Sequence, residues 1–203
     1  RDLFSRYILG IFLLRNQSDQ AVRACCRRLF ARYGVPRVIR VDNGSPFGGV
    51  GPLGLSRLSL WWLSLGIKVE FSRPAHPEDN AAHEQMHRIY KHDVANPPAS
   101  SVARQHRRTR RWIRYYNYQR PHEALGNAKP GDLYRPGPGR QTRRVPDPEY
   151  PQRWMTRRAG TRGSIKWHGR LRHIGRAFSG QKVALKKIAI DVYAVYFGVH
   201  LIG

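Results

Sequence analysis

Acidic residues are scarce: 13 Asp plus Glu stand against 37 Lys plus Arg in 203 residues, a formal net charge of +24. That balance excludes a cationic ligand bound over a broad acidic face and points to a polyanionic partner, nucleic acid first. The bland alternatives are a basic structural protein of the ribosomal kind and a generally adhesive surface. Cysteine is nearly absent, with only the adjacent Cys25 and Cys26. This excludes a disulfide framework and a cysteine-rich zinc site, and suggests a reducing, cytoplasmic setting. No run of about 18 apolar residues exists, so no membrane span is expected, and the first residues lack a secretory signal pattern. What is present suffices for a core: 40% apolar residues, five Trp and ten Tyr. Disorder is excluded, and the length fits one sizeable domain or two small ones. Arginine far outnumbers lysine, which suits bidentate phosphate contacts.

The order of elements follows from periodicity and turn residues. Residues 6–14 (RYILGIFLL) form an apolar run of strand length. SDQAVRACCRRLFARYG reads as an amphipathic helix with Ala21, Ala24, Cys25, Leu29 and Tyr33 on one face and Gly34 as its stop. Residues 37–41 make a strand ending at Asp42, followed by a glycine-rich loop. A helix follows with Leu55, Leu58, Trp61, Trp62 and Leu65 inward, closed by Gly66, and IKVEFSR is the next strand. Strand, helix, strand, helix, strand implies an α/β layer with parallel neighbours. A helix over 79–94, capped by Asp79 or Asn80, and a strongly basic helix from Ser101 to Gln119 follow the break at NPPASS. Residues 135–152 are rich in Pro, Gly and Arg and read as a linker. From Arg153 onward, short β-like runs between Gly and Asp turns indicate a small all-β module, a barrel. The boundaries are therefore 1–134, 135–152 and 153–203.

Two carboxylates carry the chemistry. Asp42 sits at the carboxyl end of a strand, where α/β folds place their sites. An unpaired Asp at the mouth of a buried strand is costly, so an arginine or a metal ion is expected on it. Glu84 lies on the first turns of the following helix, between His83 and His87. His-Glu-Gln-Met-His satisfies the five-residue zinc-protease pattern, which leaves a zinc hydrolase as one reading and packing histidines as another. The second reading of the pair is that Asp42 and Glu84 hold Mg²⁺ beside a phosphate brought in by the basic surface.

The stretches DLFSRYILG, RVDNGSPF, GLSRLSLWWLSLGIKVEFSRPAHPEDN, HEQMHR and YNYQRPHEALGNAKPGDLY resemble the bacterial insertion-sequence transposases of the retroviral integrase superfamily. The last 50 or so residues resemble the SH3-like C-terminal domain found in such proteins. The resemblance implies an α/β RNase H-like integrase core followed by a small all-β SH3-like barrel. It implies Asp42 and Glu84 as the second and third members of a DDE triad, with Mg²⁺ or Mn²⁺ as cofactor. The implied reaction is metal-dependent DNA cleavage and strand transfer on transposon ends and target duplex, by a homo-oligomer near the nucleoid. Two departures accompany it. The first catalytic Asp of the family lies upstream of DLFSRY, and Asp2 is not in its place. The core is thus expected to be N-terminally incomplete, its first strand missing, and the chain a fragment or an inactive DNA-binding remnant. Ala81 and Ala82 also stand where the family has a glycine, and alanine favours helix by about 1 kcal/mol.

Arg104, Arg107, Arg108, Arg111 and Arg114 recur at three- and four-residue steps, a stripe suited to a DNA backbone. In the β module, Arg157, Arg158, Arg162, Lys166, Arg170, Arg172, Lys182, Lys186 and Lys187 are the phosphate candidates. Trp167, Tyr193, Tyr196 and Phe197 are expected to be core, and His122 and Glu123 of RPHEAL to lock the basic helix onto the core.

Overall fold

The computed structural model describes residues 1–73, 76, 81–137 and 147–203. The expected helix cap at Asp79 or Asn80 and the middle of the expected linker, 138–146, lie outside the described residues. The chain forms two compact units. One comprises Arg1–Asn16, Cys25–Gly34 and Ser72–Arg140, the other Gln17–Ala24, Val35–Phe71 and Gln141–Gly203.

Helix α1 spans Asp19–Tyr33 and ends on Gly34, whose φ of 86° is the left-handed conformation a glycine stop requires. Its buried residue is Phe30. Ala24, expected inward, is exposed, because the larger Phe30 ring sets which face turns to the core.

In the second unit, β1 (Val38–Val41) pairs in parallel with β2 (Lys68–Phe71), in the register Val38↔Lys68 to Val41↔Phe71. The crossover between them carries α2 (Arg57–Ser64), so the parallel βαβ arrangement read from the alternation is present. Helix α2 starts on a reciprocal capping box. The Ser56 hydroxyl accepts from the Ser59 N–H at 3.1 Å, and the Ser59 hydroxyl accepts from the Ser56 N–H at 2.8 Å. Leu58, Leu60 and Trp62 are buried.

The β module belongs to the same unit. Strands β3 (Met155–Arg158), β6 (Lys182–Ala189), β7 (Val192–Phe197) and β8 (His200–Leu201) form a four-stranded antiparallel sheet in that order, and β4 (Ser164–Trp167) pairs with β5 (Arg170–His173) as a separate hairpin. The module is all-β as expected, but its two ladders do not join into a closed barrel among the described residues. Its core of Ile165, Ile174, Phe178, Val183, Leu185, Phe197 and Ile202 is continuous with Leu55 and Leu60 from the α2 region. Phe197 is core as expected, while Trp167 and Tyr193 pack against it half-buried.

In the first unit, α3 (Ala81–Tyr90) runs into a single π-helical turn, Lys91–Ala95, and α4 spans Val102–Tyr118. Ile8, Met86, Tyr90, Val94, Trp112 and Tyr116 form its core. The Tyr90 hydroxyl meets Thr109 Oγ1 at 2.7 Å, and Trp112 Nε1 donates to Asp93 Oδ2 at 3.0 Å. The apolar run at 6–14 is not a strand among the described residues. The backbone of Ile8 is held instead by a side chain: Asn117 Oδ1 accepts from the Ile8 N–H at 2.9 Å and Asn117 Nδ2 donates to the Ile8 carbonyl at 3.1 Å. An amide side chain offers the same donor and acceptor that a ladder partner does. The short helix α5 (Pro130–Leu133) packs tightly on α4 through Gly131, where a Cβ would lie 2.6 Å from the Tyr118 ring and 2.8 Å from the Asn117 carbonyl oxygen.

Candidate functional site

Asp42 follows the last residue of β1 and is exposed. Its Oδ1 accepts from the Gly44 N–H at 2.8 Å, an Asx turn that starts the glycine-rich loop. The expectation of a cation compensating a buried charge is therefore corrected. The carboxylate faces solvent and a backbone N–H, so no desolvation cost demands a partner. Beyond it the loop is fixed in place. The Ser56 hydroxyl donates to the Phe47 carbonyl at 2.8 Å, and the Phe47 ring stacks on Trp62 at 6.1 Å between centroids. Gly48 has no room for a side chain, since a Cβ would sit 2.4 Å from the Asn43 carbonyl oxygen. The cap of α2 and its buried indole thus hold the loop that carries Asp42.

Glu84 lies in the first turn of α3, exposed, with Met86 and Tyr90 of the same helix buried in the first unit. Asp42 belongs to the second unit and Glu84 to the first. His83 and His87, exposed on α3, approach each other at 3.0 Å between their Nε2 atoms. Among the described residues, no group of three or more His, Cys, Asp or Glu side chains gathers as a metal site. The zinc-protease pattern thus lacks its third ligand there.

The basic helix is as expected. Thr109, Trp112, Tyr116 and Asn117 are buried, and helical spacing sets Arg107, Arg111 and Arg114, all exposed, opposite them. Arg104 and Arg108 flank that stripe but are already engaged. Arg104 Nη1 donates to Ser100 Oγ at 2.7 Å, while Arg108 donates to the Pro97 carbonyl at 3.1 Å and the Asp93 carbonyl at 3.4 Å. Arg110, exposed on the same helix, was not singled out from the spacing because it falls outside the stripe. His122 is buried against Tyr116, 4.5 Å between ring centroids. Burial, ahead of the nearby Arg120, holds its imidazole below the usual range. Glu123 is exposed.

In the β module the candidates divide. Arg157 lies over the Trp167 ring at 5.3 Å and Lys186 over Trp154 at 5.7 Å. Arg158 is spent on Asp147 and on the Gly180 carbonyl. Arg162, Lys166, Arg170, Arg172 and Lys187 are exposed, and Lys182 is half-buried. Tyr196, expected in the core, packs instead beside Trp154 at 4.8 Å, because it points to the sheet face opposite Val183 and Leu185. Trp154 carried no periodic signal, as it precedes the first strand.

Comparison with known proteins matches these elements to an integrase core and its appended domain. Two models described as integrase core domain match residues 1–77 and 65–130, and the model for the IS481 family transposase C-terminal domain matches residues 154–203. Residues 1–130 are thus similar to the integrase core, and residues 154–203 to the C-terminal domain, of insertion-sequence transposases of the integrase superfamily. It is 27% identical over 138 residues to the transposase for insertion sequence element IS904 of Lactococcus lactis, a match that takes in 65% of this chain. The chain spans about half, 51%, of the length of that curated relative. A solved structure of the simian T-cell lymphotropic virus intasome in complex with PP2A regulatory subunit B56 gamma aligns with 93% of this chain and 65% of its own, at 14% identity and a TM-score of 0.46. The superfamily is divalent-metal dependent. No described helix is long and apolar enough to cross a membrane.

Proposed function

We propose that this chain takes part in DNA transposition as a DDE-type transposase, cleaving and joining phosphodiesters at element ends and target. The observation that carries the reading is the integrase-core match over residues 1–130 together with the transposase C-terminal match over 154–203. Asp42 and Glu84 are assigned the second and third acidic positions, and each fits on local grounds. Asp42 is an exposed carboxylate in a braced loop at a strand end, and Glu84 is an exposed carboxylate opening a helix. Carboxylate oxygens are the donors that Mg²⁺ and Mn²⁺ prefer. Such an ion, when bound, activates an oxygen nucleophile and offsets charge on the phosphate. The chain's own work is to orient those carboxylates and hold the duplex. Arg107, Arg111 and Arg114 on α4, and Arg157, Lys166, Arg170, Arg172, Lys186 and Lys187 of the β module, are proposed to contact phosphates. Arg104, Arg108 and Arg158 first serve local structure. Modules at 1–134 and 153–203, joined by a linker over 135–152, are part of the proposal. A homo-oligomer on duplex DNA in the cytoplasm, associated with the nucleoid, completes the proposal.

The test is Mg²⁺- or Mn²⁺-dependent strand transfer on duplexes carrying element ends, with Asp42→Asn and Glu84→Gln in parallel. Both variants are expected to bind duplex as the parent does and to lose transfer by a factor of at least about 10². Undiminished transfer in either variant refutes the assignment of that residue, and absence of duplex binding refutes the nucleic-acid reading.

A further inference from the structure

The two histidines of α3 are not used by the transposase reading, and their geometry asks for an explanation of its own. His83 and His87 lie one turn apart, and their Nε2 atoms are 3.0 Å apart with the rings at 73°. Two imidazole nitrogens at that distance require one N–H donor and one lone pair aimed at it, so at least one ring is neutral. The space between two converging nitrogens then holds a shared proton, which is where a cation can replace it. A tetrahedral ion with metal–nitrogen bonds of about 2.0–2.1 Å spans nitrogens roughly 3.3 Å apart, so the rings need part by only a few tenths of an ångström. Four-residue spacing on a helix keeps them on one face, and both side chains are exposed. Imidazole nitrogen selects borderline transition ions rather than Mg²⁺.

We propose that His83 and His87 form a two-nitrogen chelate for a divalent transition ion of the Zn²⁺ class. Binding forms two metal–nitrogen bonds to neutral imidazoles: a neutral donor ring shifts its N–H from Nε2 to its own Nδ1 through solvent, and a ring that carries both protons gives one to solvent. The site does not depend on the proposed transposase activity. It is a binding site and not a hydrolase, since the described residues offer no third protein ligand grouped with the pair.

Calorimetric titration of the full chain with ZnCl₂ at neutral pH tests this, with His83→Gln, His87→Gln and, as controls, His92→Gln and His106→Gln. One ion per chain is expected. Affinity should fall by more than about tenfold in each α3 variant, the least expected from losing a ligand when outer-shell losses alone cost that much. The controls should bind as the parent does. Affinity should also weaken as pH is lowered through the histidine range. Zn²⁺ titration of the parent followed by ¹⁵N resonances of the imidazoles gives a readout that needs no variant: His83 and His87 Nε2 should move first and together. Equal affinity in either α3 variant, no binding by the parent, or first shifts at other histidines would each overturn the proposal.

Discussion

If the α4 stripe meets DNA phosphates, the salt dependence of binding has to change by an amount the helix dictates. Arg107, Arg111 and Arg114 are exposed and lie opposite the buried Thr109, Trp112 and Tyr116. Replacing all three with Gln removes three positive charges, keeps helix propensity nearly unchanged, and touches nothing in the core. Each phosphate neutralised contributes about 0.9 to the slope of log affinity against log salt, so the triple variant should show a slope shallower by about 2.7. Between 50 and 200 mM salt, that difference shrinks the parent's advantage over the variant by roughly 40-fold. Fluorescence anisotropy on a labelled duplex at four or five salt concentrations measures it, and urea midpoints check that stability stays within about 0.5 kcal/mol. Arg108→Gln is the internal contrast. Its guanidinium already bonds the Pro97 and Asp93 carbonyls, so its loss should lower stability by about 0.5–1.5 kcal/mol and leave the slope nearly intact. A triple variant with the parental slope, or one that binds uniformly more weakly at every salt concentration, would refute the phosphate role of this face.

Other consequences follow from the packing. Asn117→Ala strips both partners from the buried Ile8 peptide groups and should cost about 2–6 kcal/mol in urea unfolding, from about 1–3 kcal/mol for each group left unsatisfied; a loss below about 1 kcal/mol means that water reaches Ile8. Gly131→Ala forces a methyl against the Tyr118 ring and the Asn117 carbonyl and should cost about 1–3 kcal/mol by the same assay. The lowered pKa of His122 means that the unfolded chain binds the proton more readily than the folded one. Stability should therefore be complete above the ordinary histidine range and decline as pH falls through it, levelling off below the folded-state pKa. His122→Phe keeps a ring against Tyr116 without the titration and should flatten that part of the midpoint-against-pH curve; an unchanged curve assigns the decline to another group.

Much of this protein was legible along the chain because local rules were obeyed. Glycine stops at Gly34 and Gly66, the period of α4 and the alternation of helix and strand around β1 and β2 are written in neighbouring residues, and they appear where expected. The candidate carboxylates were legible for the same reason, one at a strand end and one at a helix start. The failures have a common cause. The run at 6–14 has strand composition, but a strand is made by a neighbour, and here the neighbour is the Asn117 side chain, 109 residues away. Asp42 looked like a buried charge because burial was inferred from the strand before it, whereas exposure depends on where the loop leaves the sheet.

Charge excess, the lack of a long apolar run, and the order and type of the elements from α1 to β2 and of α4 were decided by the sequence alone, because each depends on composition or on residues within about four positions of one another. The tertiary structure alone decided which arginines are available and which are already spent, that Leu55 and Leu60 share a core with the β module, and that His83 and His87 point at each other. Those outcomes depend on distances between side chains, and the chain sets such distances only once long-range packing has chosen one face for every helix.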